Sequence, residues 1–281
     1  MRKNIKGIVK KIGVATLCGT LILGAVSMTG CGSKEVAKDY KKQTAKEGKL
    51  VVGLDDTFAP MGFRDKDGNL IGFDIDLAKE VGKKLGMEVE FKPISWDAKD
   101  LELKSKKIDC IWNGMSVTPE RKEKMSLSKK YLDNKIILMT SKGKKIDIKS
   151  DGDLKKYKIG TQADSAALET LKKNKEYDSF KDKVTEYPDY DKALLALKGG
   201  KIDVIAIDQV LGEYKNKNLK GELATLDFSL GDDAYAIGFR KGDTALRDKV
   251  NEALETLVKE GKAEEISKKW FNKNIVILKD N

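Results

Sequence analysis

An α/β fold with mostly parallel sheets is what this sequence predicts, on three observations. Strand-like and helix-like segments alternate along residues 49–271. That order builds parallel strands joined by covering helices. Two of the strand-like segments, residues 108–112 and 202–207, are near-continuous apolar runs, as strands buried on both faces require. These two runs also echo each other. Lys107-Ile108-Asp109-Cys110-Ile111-Trp112 matches Lys201-Ile202-Asp203-Val204-Ile205-Ala206, each after a short helix and a turn. The echo suggests two lobes of like construction.

The first 30 residues are not part of that fold. Arg2, Lys3, Lys6, Lys10 and Lys11 form a basic start, and residues 12–26 are apolar and small, the pattern of a secretory leader. The ending Ser27-Met28-Thr29-Gly30-Cys31 resembles a bacterial lipoprotein cleavage box, with Met28 where leucine is preferred. Cys31 is then the lipidated residue. A diacylglycerol plus an amide-linked acyl chain would hold the protein stably at a membrane surface. Residues 31–48 are polar and lysine-rich and read as a tether.

Composition narrows the chemistry. Cys18 leaves with the leader and Cys31 carries lipid, so Cys110 alone remains, as a small core residue, and no disulfide framework is expected. The chain carries a formal +10; the leader's five basic and no acidic residues leave +5. Lysines interleaved with acids on a secreted chain fit an anionic membrane or wall better than nucleic acid, and no nucleic acid partner is expected. Histidine is absent, which removes the commonest general base and metal ligand. No cluster has metal-ligand spacing, so neither a metal nor another cofactor is expected.

In order, Lys49–Leu54 is a strand and residues 55–60 a loop, since Pro60 disfavours helix before it. Residues 62–73 read as a hairpin turning at Asp67-Gly68. Asp74 can cap the next helix, whose Ile75, Ala78, Val81 and Leu85 share a face. Residues 88–94 alternate as a strand, and Trp96 opens a loop and short helix to Lys104. After the first apolar run, residues 131–139 lead into a strand. Residues 157–161, 184–187 and 234–239 are further strands. Helices follow over 167–173, 191–198, 209–214 and 263–271. Leu246, Val250, Leu254 and Leu257 make a helical stripe.

Both apolar runs end in residues suited to ligands, and in open α/β sheets ligands sit beyond the C-terminal ends of strands. The first run leads into Asn113-Gly114-Met115-Ser116-Val117-Thr118-Pro119-Glu120-Arg121. Thr118 is an N-cap with Pro119 at the first helical position. Exposed N–H groups, the Ser116 hydroxyl and the Arg121 guanidinium suit a small carboxylate. The second run ends at Asp208, which suits an ammonium. An α-amino acid carries both groups. Phe58 and Trp96 lie in loops where they could sandwich a side chain.

These motifs resemble the solute-binding proteins of polar amino acid ABC transporters, bacterial solute-binding protein family 3. The resemblance rests on Leu70-Ile71-Gly72-Phe73-Asp74-Ile75-Asp76-Leu77, on residues 113–121, 159–166 and 203–208, and on residues 235–239 followed by Lys241-Gly242. It implies a two-lobed, Venus-flytrap-like type II periplasmic-binding fold. The leader would span 1–30, and the lipidated cysteine and tether 31–48. Lobe one would span 49–132 and 235–281, and lobe two 133–234. Arg121 would take the ligand carboxylate with Ser116. Ser165 and Ala166 would add contacts from lobe two. Asp208 would take the ammonium with Gly114 and Ser116, and Phe58 and Trp96 would stack on the side chain. Asp55 and Gln162 would meet the side-chain end. One departure stands out: Asp164 replaces the glycine usual before the second-lobe serine or threonine. The partners implied are a free amino acid, the permease subunits of an ABC transporter and, through lipid, the outer face of the cell membrane, with the protein a monomer.

Cystine or another amino-acid-like ligand fits the same pattern. A dehydratase-like enzyme on this fold would need an acid or base aimed at substrate, and only Asp55, Asp164 and Asp208 are available. No enzyme activity is expected.

Overall fold

The structure, a computed structural model, describes residues 48–281. The leader, Cys31 and the tether to residue 47 lie outside the described residues. A small antiparallel sheet of β2 (Thr57–Phe58), β3 (Gly62–Arg64) and β4 (Leu70–Ile71) follows β1 (Lys49–Leu54), and the first large sheet runs in the order β5 (Glu88–Pro93), β1, β6 (Cys110–Ile111), β13 (Gly238–Arg240), β7 (Met125–Leu127). β1 is parallel to both β5 and β6, while the returning β13 is antiparallel to β6 and β7. Helices α1 (Phe73–Leu85), α8 (Thr244–Lys259) and α9 (Lys262–Phe271) pack on one another. The expected stripe Leu246, Val250, Leu254 and Leu257 is buried there in one core with Leu77, Ala78 and Val81. α2 (Lys99–Lys104) covers the other face, where Leu103, Ile108, Ile111, Met115 and Met125 form a second core.

The second sheet runs β10 (Val184–Tyr187), β9 (Ile159–Gln162), β11 (Val204–Asp208), β8 (Lys130–Ser141), β12 (Leu223–Tyr235). Its first three strands are parallel, and β8 runs antiparallel to β11 on one side and to β12 on the other. β11 is buried throughout. Val204 and Ala206 face the core formed with α4 (Ala166–Lys173) and α5 (Tyr177–Phe180), and Ile205 and Ile207 face that of α6 (Tyr190–Lys198) and α7 (Gln209–Asn218). Each sheet thus joins a parallel centre to antiparallel returning strands.

The two sheets are connected by paired crossings. In β8 and β12, Leu132, Asp133, Asn134, Lys135 and Ile136 are matched to Tyr235, Ala234, Asp233, Asp232 and Gly231. β14 (Val276–Lys279) adds to the other edge of β8, pairing Val276 with Leu132 and Lys279 with Lys130.

The sequence echo is built in three dimensions. The Asp109 N–H donates to the Val51 carbonyl at 2.8 Å, and its carboxylate accepts the Val51 N–H at 2.9 Å. Asp203 does the same with Lys158, at 2.8 Å in both directions. Ile108 lies so close to Gly53, and Ile202 to Gly160, that a Cβ on either glycine would meet the isoleucine Cδ1 at 2.5 or 2.3 Å. The turns before the strands match too. Lys106 and Gly200 both take positive φ, 60° and 68°. The following N–H of Lys107 or Lys201 returns to a carbonyl five residues back, the bond that closes a left-handed helix end.

Two expectations change. α1 begins at Phe73 from Gly72, and Asp74 caps nothing; it is buried inside the first turn and reaches across to Gly114. The expected strand over residues 234–239 is two strands, the end of β12 and then β13.

Candidate functional site

The strand ends of both lobes converge on one cleft. From the first lobe, the loop after β6 passes through Gly114, whose φ of +58° suits glycine and where a Cβ would meet the Phe58 ring at 2.9 Å. Its N–H donates to Asp74 Oδ2 at 2.7 Å, and the Tyr131 hydroxyl donates to the same oxygen at 2.9 Å. Burial pushes the Asp74 carboxyl up to about 7, against these two bonds. The loop then enters α3 (Pro119–Lys124), where Thr118 Oγ1 accepts the Arg121 N–H at 3.2 Å, the expected cap.

Arg121 is only 3% exposed. Its Nη1 donates to the Ser116 carbonyl at 3.1 Å and its Nη2 to the Asp164 carbonyl at 3.3 Å, with Glu169 Oε1 3.3 Å from Nη2. Asp164 and Glu169 belong to the second lobe, so this guanidinium already spans the cleft. Its Nε is buried with no partner among the described residues. The Arg121 guanidinium carbon lies 5.8 Å from the Trp96 ring centroid.

Asp164 explains how a residue other than glycine is held in the second-lobe loop. Its φ is +55°, its carbonyl accepts from Trp96 Nε1 at 3.2 Å as well as from Arg121, and its carboxylate pairs with the buried Lys99 ammonium. The side chain therefore engages the first lobe. Next to it, Ser165 caps α4: its hydroxyl accepts the Leu168 N–H at 3.1 Å, and its own N–H donates to the Gln162 carbonyl. Ala166 stands at the first helical position, where the N–H has no intrahelical acceptor.

At the far end, Asp55 and Gln162 meet across the lobes. Asp55 Oδ2 accepts from Gln162 Nε2 at 2.7 Å, and Oδ1 accepts the Thr57 N–H and hydroxyl. Burial raises the Asp55 carboxyl above its ordinary value, against those bonds. Phe58 faces Tyr190 of the second lobe with ring centroids 6.1 Å apart.

Asp208 closes the opposite side. It is 4% exposed, at the end of β11. Asn134 Nδ2 and the Tyr235 hydroxyl donate to its Oδ1 at 2.8 and 2.9 Å, and the Tyr190 hydroxyl stands 3.5 Å from Oδ2. Asn134 Nδ2 also donates to Asp233 Oδ2 at 2.8 Å, which accepts the Ser116 hydroxyl at 2.6 Å. A polar chain of Ser116, Asp233 and Asn134 thus connects Arg121 to Asp208. Burial and the nearby Asp233 charge push the Asp208 carboxyl well above its ordinary value.

The ten residues nominated from sequence, Asp55, Phe58, Trp96, Gly114, Ser116, Arg121, Gln162, Ser165, Ala166 and Asp208, are all buried where the strand ends of the two sheets meet. Sequence reasoning missed Lys99, Asn134, Glu169, Tyr190, Asp233 and Tyr235. Asn134 had a signal, as an amide on the strand face of Leu132 and Ile136, in alternation with Asp133 and Lys135; Asp233 reads in sequence as part of a Gly-Asp-Asp turn.

Comparison with known proteins agrees with this architecture. Residues 50–273 match the family described as bacterial extracellular solute-binding proteins, family 3. The L-cystine-binding protein TcyJ of Escherichia coli is 31% identical over 268 residues, covering 94% of this chain and 97% of that protein. The arginine-binding extracellular protein ArtP of Bacillus subtilis is 31% identical over 249 residues, covering 87% and 92%. The crystal structure of an ABC uptake transporter substrate-binding protein from Streptococcus pneumoniae with bound histidine superimposes with a TM-score of 0.77 at 37% identity, covering 87% of this chain and 99% of that one. The chain belongs to family 3 of the bacterial extracellular solute-binding proteins.

Proposed function

We propose that this protein captures an L-amino acid between its lobes and delivers it to the permease subunits of an ABC importer, anchored at the outer face of the cell membrane by lipid on Cys31. The observation that carries the reading is a pair of buried, opposite charges placed for a zwitterion. Arg121 keeps an unpartnered Nε for a carboxylate, and Asp208 has only neutral donors around it for an ammonium. Ser116 and the Ala166 N–H would assist at the carboxylate, and the Gly114 carbonyl at the ammonium. Ser165 has its hydroxyl and N–H committed to the helix start, so its part is to position Ala166.

Phe58 and Trp96 would flank the side chain, with Asp55 and Gln162 at its end. An acid and an amide there favour a side chain bearing hydrogen-bond donors, cationic or amide. Cystine is the second reading: its distal ammonium would meet Asp55, and a relative 31% identical over nearly its whole length is a cystine-binding protein.

A thermal shift of the mature protein, freed of ligand, against the amino acids and cystine tests this. At a hundredfold excess over the dissociation constant the stabilisation is about 2.7 kcal/mol, or several degrees for a domain of this size. No shift with any of them sinks the reading. Cys31→Ala is expected to move the protein from the membrane fraction to the medium; retention would overturn the lipid anchor alone.

A further inference from the structure

We propose that Asp233 is a second acceptor for the ligand's α-ammonium, and that capture expels a proton shared between Asp208 and Asp233. This rests on the amino acid reading above and adds to it a residue and a proton.

The geometry begins at the crossing strands. Asn134 on β8 and Asp233 on β12 are ladder partners, and Asp208 ends the strand on the other side of β8. Asn134 Nδ2 therefore sits between the two acids, 2.8 Å from an oxygen of each. Every other hydrogen-bonding side chain on the pair is a neutral hydroxyl: Tyr235 from β12, Tyr190 from α6 and Ser116 from the first-lobe loop. Among the described residues no Lys or Arg lies within ion-pair distance of either carboxylate. Arg121 is the cation both acids feel, and it is held by the Ser116 and Asp164 carbonyls and by Glu169.

Asp208 is buried and Asp233 half-buried, and two carboxylates held on one amide do not both ionise readily, so the pair retains a proton. Both carboxyls are raised, chiefly by burial; Tyr235, Arg121 and Asn134 act against this at Asp208, and Ser116, Asn134 and Arg121 at Asp233. An ammonium replaces that proton well, since it brings one positive charge and three donors. Asp208 Oδ2 is open to it, its contact to Tyr190 at 3.5 Å being too long for a strong bond. The buried, unpartnered Arg121 Nε independently marks where the carboxylate of the same ligand would lie. The step balances without a co-reactant: the acid pair loses one proton to bulk water, the ligand keeps its three ammonium protons, and no covalent bond to the ligand forms.

Calorimetric titration at pH 6.5 in phosphate and in a buffer of high ionisation enthalpy, such as imidazole, tests this with L-arginine, L-histidine, L-glutamine and L-cystine as probes. The binding probe should release roughly 0.5–1 proton, and its affinity should rise about tenfold from pH 6 to pH 8. Asp233→Asn should weaken binding roughly tenfold or more and lower proton release below the wild-type value. Proton release by the wild type is measured without any variant, so a misfolded Asp233→Asn does not protect the proposal. Wild-type binding with no proton release overturns it. So does an Asp233→Asn protein that binds within twofold of wild type with release unchanged; if Asp208→Asn then abolishes binding, the amino acid reading stands without the second acceptor. If none of the four binds and no other amino acid gives a thermal shift, both are overturned.

Discussion

The two lobes are built alike up to the strand end and differently beyond it. Asp109 and Asp203 clasp a neighbouring strand in the same way, Ile108 and Ile202 cover a glycine in the same way, and Lys106 and Gly200 turn the chain in the same way. Past that point the first lobe presents a loop, a capped helix and a guanidinium, and the second presents Asp208. A shared scaffold fixes where ligand groups sit, and a few residues after the scaffold fix their sign. That separation lets one fold take different ligands through loop changes.

The largest expected effect comes from breaking the sign on either side. Arg121→Ala and Asp208→Asn should each weaken amino acid binding at least a hundredfold, about 3 kcal/mol or more, measured by calorimetry. A strong loss from one and none from the other would mean that a single lobe holds the ligand.

The next effect separates the lobes by pH. Burial pushes the Asp74 carboxyl up from 3.8 to about 7, and burial and the Asp233 charge raise Asp208 as well. A raised carboxyl contributes stability fully below its unfolded value and loses it as pH climbs through the folded value. The ligand-free protein should therefore lose stability between about pH 4 and 7, by at most about 1.4 kcal/mol per pH unit for each group. Asp74→Asn should remove the Asp74 share, seen as a shallower decline in urea midpoints; an unchanged slope would show that Asp74 does not titrate in this window.

Gly53→Ala and Gly160→Ala push a methyl against Ile108 and Ile202. Overpacking of this kind costs roughly 1–3 kcal/mol, and the echo predicts similar values by denaturant unfolding. A difference above about 2 kcal/mol would mean that the likeness is geometric and not energetic. The smallest effect is at the turns. Lys106→Gly should stabilise by about 0.5 kcal/mol by relieving the positive φ, and Gly200→Ala should destabilise by about 1 kcal/mol, since its surroundings are open and only the backbone resists.

Much of this was legible in sequence because it is local. The apolar runs, the stripe of α8, and the Thr118-Pro119 cap each depend on residues within a turn or two of one another. Strand β12 was mostly not legible. It pairs with β8 while leaving alternate residues partly exposed, so Asp227, Gly231 and Asp232 make it look like loop. Asp74 was misread because an acid at a helix start has the same local pattern whether it caps or reaches into the protein. The site residues found by pattern lie at strand ends. Those missed, such as Asn134 and Asp233, meet their partners only through the pairing of strands 99 residues apart in sequence.

The paired crossings also bear on how the lobes can move. β12, β8 and β14 form a three-stranded ribbon at the join, with backbone bonds on both edges of β8. Twisting such a ribbon keeps its bonds, whereas sliding one strand along another breaks several at once. The cheap motion is thus a rotation about a single axis, and the chain's last strand is part of the axle. Deleting residues 276–281 should therefore loosen the rotation while leaving every ligand-facing side chain in place, an effect that would appear in opening and closing rates before it appeared in affinity.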